Sequence, residues 1–260
     1  DTLSGGFGPD KFVFSPASGV DRLLDYTPGE DHILLFDAQG GIADGSHGVL
    51  MFDAGGHTLS WDPDGTFSPI PSEALAVMDG VTRIERSDLA AGFYPNAIQV
   101  VAADGSTETT VIEWGSATLD TRVAEQSPTD VMTSYTANFK DGSHWTKWFD
   151  AESNQPWEGR TAEYDASGAL FHYTVAYDTG EQVQWSFDPH NSETWQRLVD
   201  DYDAQGRLLT RGYVQDDGTS KLATFDVDGS HPWQMLVDIF DAAGRLIGHW
   251  TYNDDGSFIG

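Results

Sequence analysis

The sequence predicts an all-β protein whose two halves are built differently. Short runs of β-branched and aromatic residues alternate with turns rich in Asp and Gly, and no long helical period is found in the second half. A glycine-rich nonapeptide lies near the amino end, and a 38-residue repeat fills the second half. We therefore expect one module at residues 1–100, a connecting segment at 101–134 and a repeat region at 135–260.

Charge is the most informative feature of the composition. The 260 residues include 42 acidic and 13 basic side chains, which gives a formal net charge of −29. Such a polyanion repels nucleic acid and anionic membrane surfaces, so we expect neither as a partner. Self-repulsion on this scale destabilises a compact state, and divalent cations held by carboxylates are the simplest offset. The alternative is an acidic, soluble surface without bound metal, as in a halotolerant protein.

Two classes of structure are excluded by composition. The chain has no cysteine, so disulfides and thiol chemistry are absent. No apolar run approaches the length of a membrane span, so we expect no membrane-spanning segment.

Residues 5–13 follow the pattern G-G-x-G-x-D-x-U-x, in which U is apolar. Glycines at these positions permit a tight turn with positive φ, in which backbone carbonyl groups point at an ion. Asp10 adds a carboxylate, and Phe12 places a short strand in the interior. Because Ca²⁺ prefers six or more oxygen ligands, the pattern predicts a calcium-binding turn of a parallel β-roll. Asp1 to Ser4 match the tail of a preceding nonapeptide, so we expect the roll to begin before residue 1.

The segments that follow extend this pattern. Residues 18–31 resemble the S-G-x-D-x-I-x-D-F-x-x-G-x-D segment that closes the roll in serralysin-type proteases and other RTX exoproteins. Residues 57–67 and 74–81 resemble further elements of the same C-terminal modules, including a β-sandwich-like part. The resemblance implies calcium ligands at Gly6, Gly8, Asp10, Asp21, Asp25 and Asp31. The competing interpretation of these aspartates is ordinary turn capping.

The chain departs from the RTX pattern in two ways. The closing segment continues Asp31-His32-Ile33-Leu34-Leu35, one acidic residue short of the usual form. Only one complete nonapeptide is present, so few calcium sites can be completed within this sequence.

The RTX resemblance also implies a function and a location. It implies export from a Gram-negative bacterium by a type I secretion apparatus, and action outside the cell or at its surface. The expected function is a Ca²⁺-dependent folding and interaction module, adhesive or spacing, without enzymatic activity. The first alternative is a carbohydrate-binding module of a secreted protein, and the second is an enzyme with a carboxylate site between the two halves.

The 38-residue period is defined by several residue types at once. Trp157, Trp195 and Trp233 are 38 residues apart, and the same interval links Phe-Asp pairs, Tyr-Asp or Phe-Asp pairs, glycines and leucines. Asp opens and Gly closes each intervening turn, which is typical of hairpins. The pattern predicts a repetitive antiparallel meander with about three strands per repeat. Residues 202–208 and 240–246 resemble YD repeats, a resemblance that carries no function.

The aromatic residues permit two interpretations. Trp157, Trp195 and Trp233 recur in every repeat, so we expect them to fill a core between repeats. Less regular aromatic residues are candidates for an exposed platform that binds a surface glycan or another exoprotein: Trp145, Trp148, Trp185, Tyr213 and Trp250. The repeated turn aspartates could bind calcium across adjacent turns, but capping is the favoured interpretation.

No catalytic motif stands out in the sequence. It contains no H-E-x-x-H stretch, no G-x-S-x-G elbow and no phosphate-binding glycine loop. A glycosidase active site made of two carboxylates stays an open alternative. The sequence has 42 acidic residues, and no pair of them is singled out.

Overall fold

A computed structural model describes residues 1–15, 18–37, 41–43, 48–63 and 73–260. Apart from one 3-10 turn, the regular elements of these residues are strands, so the all-β prediction is confirmed. The chain forms two compact units, Asp1–Lys140 and Asp141–Gly260. Within the described residues, no helix has the length and hydrophobicity needed to cross a membrane.

The first unit begins with one turn of a parallel coil. Its strands are β1 (Thr2–Leu3), β2 (Lys11–Phe14), β3 (Asp21–Leu23) and β4 (His32–Leu35). Strand β1 pairs in parallel with β3, and β2 pairs in parallel with β4. Along β2, Phe12 and Phe14 are buried while Lys11 and Val13 are exposed, as expected for a strand with one face in a core. This arrangement places the Gly-rich turn between two strands that belong to different sheets.

The remaining strands of the first unit form one long sheet with β1 and β3. They are β5 (Val49–Asp53), β6 (Thr58–Asp62), β7 (Glu73–Met78), β8 (Ala97–Val101), β9 (Thr107–Ile112), β10 (Leu119–Gln126) and β11 (Met132–Phe139). The sheet order is β1-β3-β7-β6-β5-β8-β9-β10-β11, with β3–β7 and β5–β8 also parallel. The 3-10 turn, Arg86–Asp88, lies between β7 and β8. Within the RTX-like segment 57–67, residues 64–67 lie outside the described residues.

One hydrophobic core serves both sheets of the first unit. Phe14 and Ile33 from the β2–β4 pair are buried in the same cluster as Phe52 and Leu59 from the long sheet. Burial of such side chains contributes about 1.5–3 kcal/mol each relative to exposure. The segment 101–134, which the sequence analysis treated as a connection, carries strands β9 and β10.

The second unit is an antiparallel meander. Its strands are β12 (His144–Phe149), β13 (Trp157–Tyr164), β14 (Leu170–Tyr177), β15 (Gln182–Phe187), β16 (Trp195–Tyr202), β17 (Leu208–Gln215), β18 (Ser220–Phe225), β19 (Trp233–Phe240), β20 (Leu246–Asn253) and β21 (Phe258–Ile259). Each strand pairs with the next along the chain. Strands of 6, 8 and 8 residues recur in that order. The predicted three strands per repeat are therefore present.

An odd number of strands per repeat places equivalent residues of successive repeats on opposite faces of the sheet. Residues directly opposite each other on paired strands share a face, and neighbours along a strand alternate. The register runs on one face from Ala162 through Tyr173 and Trp185 to Val199. Asp200 is equivalent to Ala162 but is the neighbour of Val199, so it lies on the other face. The third repeat returns to the face of the first.

This alternation prevents a core from forming along one face by simple repetition. Within 141–260, all of which the structure describes, the buried residues are Gly159, Ala162, Val175 and Asp200. Trp157, Trp195 and Trp233, which the sequence placed in a core between repeats, are only half-buried. The physical reason is that the unit is a single layer, in which no second layer covers either face.

Candidate calcium site

The turn that joins β1 to β2 requires its glycines. Gly6 and Gly8 have φ values of 95° and 96°, a region that side chains disfavour. A Cβ atom on Gly5 would overlap the carboxylate of Asp10. The nonapeptide glycines therefore bring the backbone of this turn directly against the Asp10 side chain.

Asp10 is the strongest candidate ligand of the turn. Its backbone is held on both sides, because its N–H donates to Asp31 Oδ1 at 2.9 Å and its carbonyl accepts from the His32 N–H at 2.8 Å. Its Oδ2 atom is buried and has no hydrogen-bond partner among the described residues. An unpaired buried carboxylate oxygen is costly, and buried charges are normally either paired with an opposite charge or bound to a metal ion.

Asp25 and Asp31 hold the turn by capping backbone groups. Asp25 accepts hydrogen bonds from the Ser4 hydroxyl at 2.6 Å and from the N–H groups of Gly5 and Gly6 at 3.0 and 2.9 Å. The Ser4 hydroxyl, followed by these amides, lowers the pKa of Asp25. Asp31 is buried and also accepts from the Thr27 N–H at 2.8 Å. Both carboxylates thus stabilise the shape of the loops around Asp10.

The remaining predicted ligand, Asp21, lies on β3. Its Oδ1 is 3.0 Å from the amino nitrogen of Asp1, and the residue is buried. The structure therefore brings Gly6, Gly8 and Asp10 into one turn, with Asp25 and Asp31 as its supports. Asp21 lies outside this turn, on β3.

The donor atoms of the turn fit Ca²⁺ better than a transition metal. In the described ranges no group of three His, Cys, Asp or Glu side chains is arranged to hold a metal, so a Ca²⁺ site at this turn would need backbone carbonyls as well as side chains. The oxygens that remain are the Asp10 carboxylate and the backbone carbonyls of the glycine turn. Hard oxygen ligands of this kind suit Ca²⁺, while Zn²⁺ favours nitrogen and sulfur.

Asp88 is a supporting residue that the sequence did not reveal. It is fully buried on the 3-10 turn and accepts hydrogen bonds from the Gly29 and Glu85 N–H groups at 2.5 and 2.6 Å. Burial, with the nearby charges of Asp88 and Asp31, raises the pKa of Tyr26. Gly29 and Asp88 are 59 residues apart, so no local motif could have indicated their contact.

The five candidate platform aromatics do not share one face. Trp148 and Trp185 lie on one face of the second unit, while Trp145, Tyr213 and Trp250 lie on the other. Trp250 is 37% exposed and the other four are half-buried. A single platform made of all five is therefore not formed within this sheet.

The repeated turn aspartates cap their own turns. Asp165 Oδ1 accepts from the Ser167 and Ala169 N–H groups at 2.8 and 3.1 Å. Asp203 and Asp241 make the same pair of bonds two and four residues ahead. Asp150, Asp188 and Asp226 each accept from the N–H five residues ahead. All six aspartates therefore act as turn caps, as the capping interpretation predicted.

A cavity of about 550 Å³ opens in the first unit beside two carboxylates. Glu108 and Glu125 are directly opposite each other on β9 and β10. Like charges in this position repel. Arg83 offsets the repulsion with two bonds to Glu108, at 2.9 and 2.6 Å, and Ser134 donates to Glu125 at 2.8 Å. These contacts give both carboxylates a role in strand pairing.

No protein-family model matches this chain, and no curated protein sequence matches it. The similarity to the RTX and YD patterns therefore extends no further than the residues that carry it.

Proposed function

We propose that this chain is a calcium-dependent module of a secreted bacterial exoprotein. Ca²⁺ bound at the turn before β2 stabilises the parallel strands of the first unit, and the meander acts as an adhesive or spacing element. The observation that supports this most directly is the buried, partnerless Oδ2 of Asp10 inside a turn that requires glycine.

The energetic argument starts from that oxygen. Without a cation, folding must bury a carboxylate oxygen with no donor, which costs on the order of 1–3 kcal/mol or more for a charged group. A bound Ca²⁺ would be held by the Asp10 carboxylate and by carbonyls of the Gly6 to Gly8 turn. Because the unfolded chain lacks this arrangement, binding free energy becomes folding free energy. The net charge of −29 adds a general advantage for divalent cations.

The same coupling fits a role outside the cell. The RTX resemblance implies passage through a type I secretion channel as an unfolded chain, followed by folding in the calcium-rich exterior. The first unit would then be less stable where calcium is scarce and more stable where it is plentiful. No catalytic role enters this proposal.

Calorimetric titration of the full chain with Ca²⁺ tests the proposal. Asp10→Asn keeps the side-chain shape and removes the charge, and we expect it to lose at least one calcium site. Asp255→Asn is the matched control, because Asp255 caps a turn of the meander by accepting from the Ser257 N–H at 2.8 Å. The control should bind calcium as the wild type does. Equal calcium isotherms for Asp10→Asn and wild type would rule out Asp10 as a ligand.

A further inference from the structure

One face of the second unit carries a small cavity in its first repeat. We call this the polar face, because across β12 to β17 its central row consists of Lys147, Thr161, Thr174, Gln184, Asp200 and Arg211. The cavity has a volume of about 190 Å³ and lies over β12 to β15. Its floor is Gly159 opposite Ala176, flanked on the neighbouring strands by Phe149 and Gln182. Two small residues therefore leave a depression between an aromatic ring and an amide.

The later repeats carry larger residues at the floor positions. The equivalents of Gly159 are Arg197 and Met235. The equivalents of Ala176 are Val214 and Tyr252. The repeat scaffold thus tolerates large side chains at both positions in the later repeats. In the first repeat a Cβ atom on Gly159 would lie 3.2 Å from the Trp148 carbonyl oxygen, so a larger residue there requires a small shift of β12.

The polar groups around the cavity suit a ligand rich in hydroxyl groups. Thr161 and Thr174 lie directly opposite each other and place two hydroxyls beside the cavity. The Thr174 hydroxyl also lies 3.3 Å from His172 Nε2, so Thr161 is the main hydroxyl available to a ligand. Gln182 accepts a hydrogen bond from Gln184 through its Oε1 at 3.2 Å, so its amide N–H groups are not used in that contact. The Lys147 ammonium lies 5.0 Å from the centre of the Phe149 ring.

Charge and size restrict the ligand further. Lys147 and Glu158 contribute one charge of each sign to the lining, so the cavity favours a neutral ligand. Its volume is below the range of about 300–1,000 Å³ typical of sites for drug-sized molecules. Sugar rings combine apolar C–H groups, which pack on aromatic rings, with hydroxyls that bond to Thr, Gln and charged side chains.

We propose that this cavity binds a neutral saccharide, with one sugar ring seated over Gly159 and Ala176 beside Phe149. The site belongs to the first repeat. In a longer oligosaccharide, the neighbouring sugar units would extend along the polar face. This proposal does not depend on calcium binding in the first unit. The competing explanation is purely structural: an aromatic side chain opposite a glycine can stabilise strand pairing.

Binding to defined oligosaccharides tests the proposal. The full chain, in calcium-containing buffer, is titrated calorimetrically with neutral gluco-, xylo- and manno-oligosaccharides, and we expect binding to at least one of them. Gly159→Met and Ala176→Val introduce the residue types that other repeats carry at these positions, and each should weaken that binding at least tenfold. Thr161→Val, which removes one hydroxyl, should also weaken it.

The control for Ala176→Val is a second alanine-to-valine change, which adds two methyl groups at a position outside the cavity. Ala223→Val lies on the same side of the sheet, in β18, away from the cavity, and should bind as the wild type does. Binding to none of these oligosaccharides at millimolar concentration would overturn the proposal. So would wild-type affinity in both Gly159→Met and Ala176→Val, particularly with a lowered melting temperature, because the small residues would then serve the fold alone.

Discussion

Asp200 and Arg211 face each other on β16 and β17 and form a two-point ion pair, with both N–O distances 2.7 Å. Asp200 is only 5% exposed, and its hydrogen bonds are the main cause that raises the pKa of Arg211. The equivalent pair in the preceding repeat is Ala162 opposite Tyr173, on the other face of the sheet. The register is thus constant while the paired chemistry changes, which indicates that turns and hairpin lengths set the register.

Replacing one member of this pair should destabilise the second unit. We expect Asp200→Ala to lower the free energy of unfolding by roughly 1–3 kcal/mol, because it leaves the guanidinium without its carboxylate partner. The Arg211 side chain is 37% exposed, so solvent keeps the loss below that of a fully buried pair. Urea denaturation with a constant slope measures the change.

The double variant Asp200→Ala/Arg211→Tyr tests the explanation by installing the residue pair of the first repeat. It should recover part of the stability that the single variant loses. A double variant less stable than Asp200→Ala would show that the register at this position depends on the ion pair itself.

The meander could be predicted in detail from its sequence because its signals are local. Turns such as that opened by Asp203 and closed by Gly206 are set by short-range hydrogen bonds, so their spacing indicates the strands directly. Burial could not be predicted in the same way. The period of Trp157, Trp195 and Trp233 suggested one core, but three strands per repeat alternate the faces and leave these side chains half-buried.

The turn before β2 shows the same division between local and distant information. The sequence predicted positive φ values at Gly6 and Gly8, which the structure has. It also singled out Asp10, which lies in the turn. The support that Asp88 gives to the loop at Gly29 depends on a contact between distant segments, so no sequence pattern could indicate it.

Gly48 is a second position where a glycine is required, here by a buried ring. A Cβ atom on Gly48 would overlap the Trp61 indole, which is 4% exposed in the core of the first unit. Gly48→Ala should therefore cost about 1–3 kcal/mol of stability through overpacking. Gly115→Ala is the control, because nothing lies within 4 Å of its Cβ position. Thermal unfolding of both variants gives the comparison, and equal melting temperatures would mean that Trp61 can move aside freely.

Removing calcium should loosen the first unit selectively. If the site is filled at 100 times its dissociation constant, binding contributes about 2.7 kcal/mol, so chelation should reduce protection of the coupled amides about 100-fold. Hydrogen exchange of the His32 N–H, which bonds to the Asp10 carbonyl at 2.8 Å, reports on the site. Amides of β16 and β17 serve as the internal control. Unchanged exchange at His32 in EDTA would contradict coupling between the site and the β2–β4 pair.

The turn at Asp165 predicts a specific dependence of stability on pH. The Ser167 hydroxyl, at 2.7 Å, is the main group that lowers the pKa of Asp165, and His190 at 2.6 Å and the backbone N–H groups add to it. Because the folded pKa is below the unfolded value of about 3.9, this stabilisation is complete above that pH. It is lost as the pH falls through the folded pKa. The difference in melting temperature between wild type and Asp165→Asn should therefore shrink as the pH falls below 4.

A direct titration of the Asp165 carboxyl carbon by NMR separates this effect from the general loss of charge repulsion in acid. Ser167→Ala removes the largest cause of the shift, so it should move the Asp165 midpoint upward. A midpoint that is the same in both proteins would assign the low pKa to His190 and the backbone amides instead. A melting-temperature difference independent of pH would show that Asp165 stabilises the turn equally well when protonated.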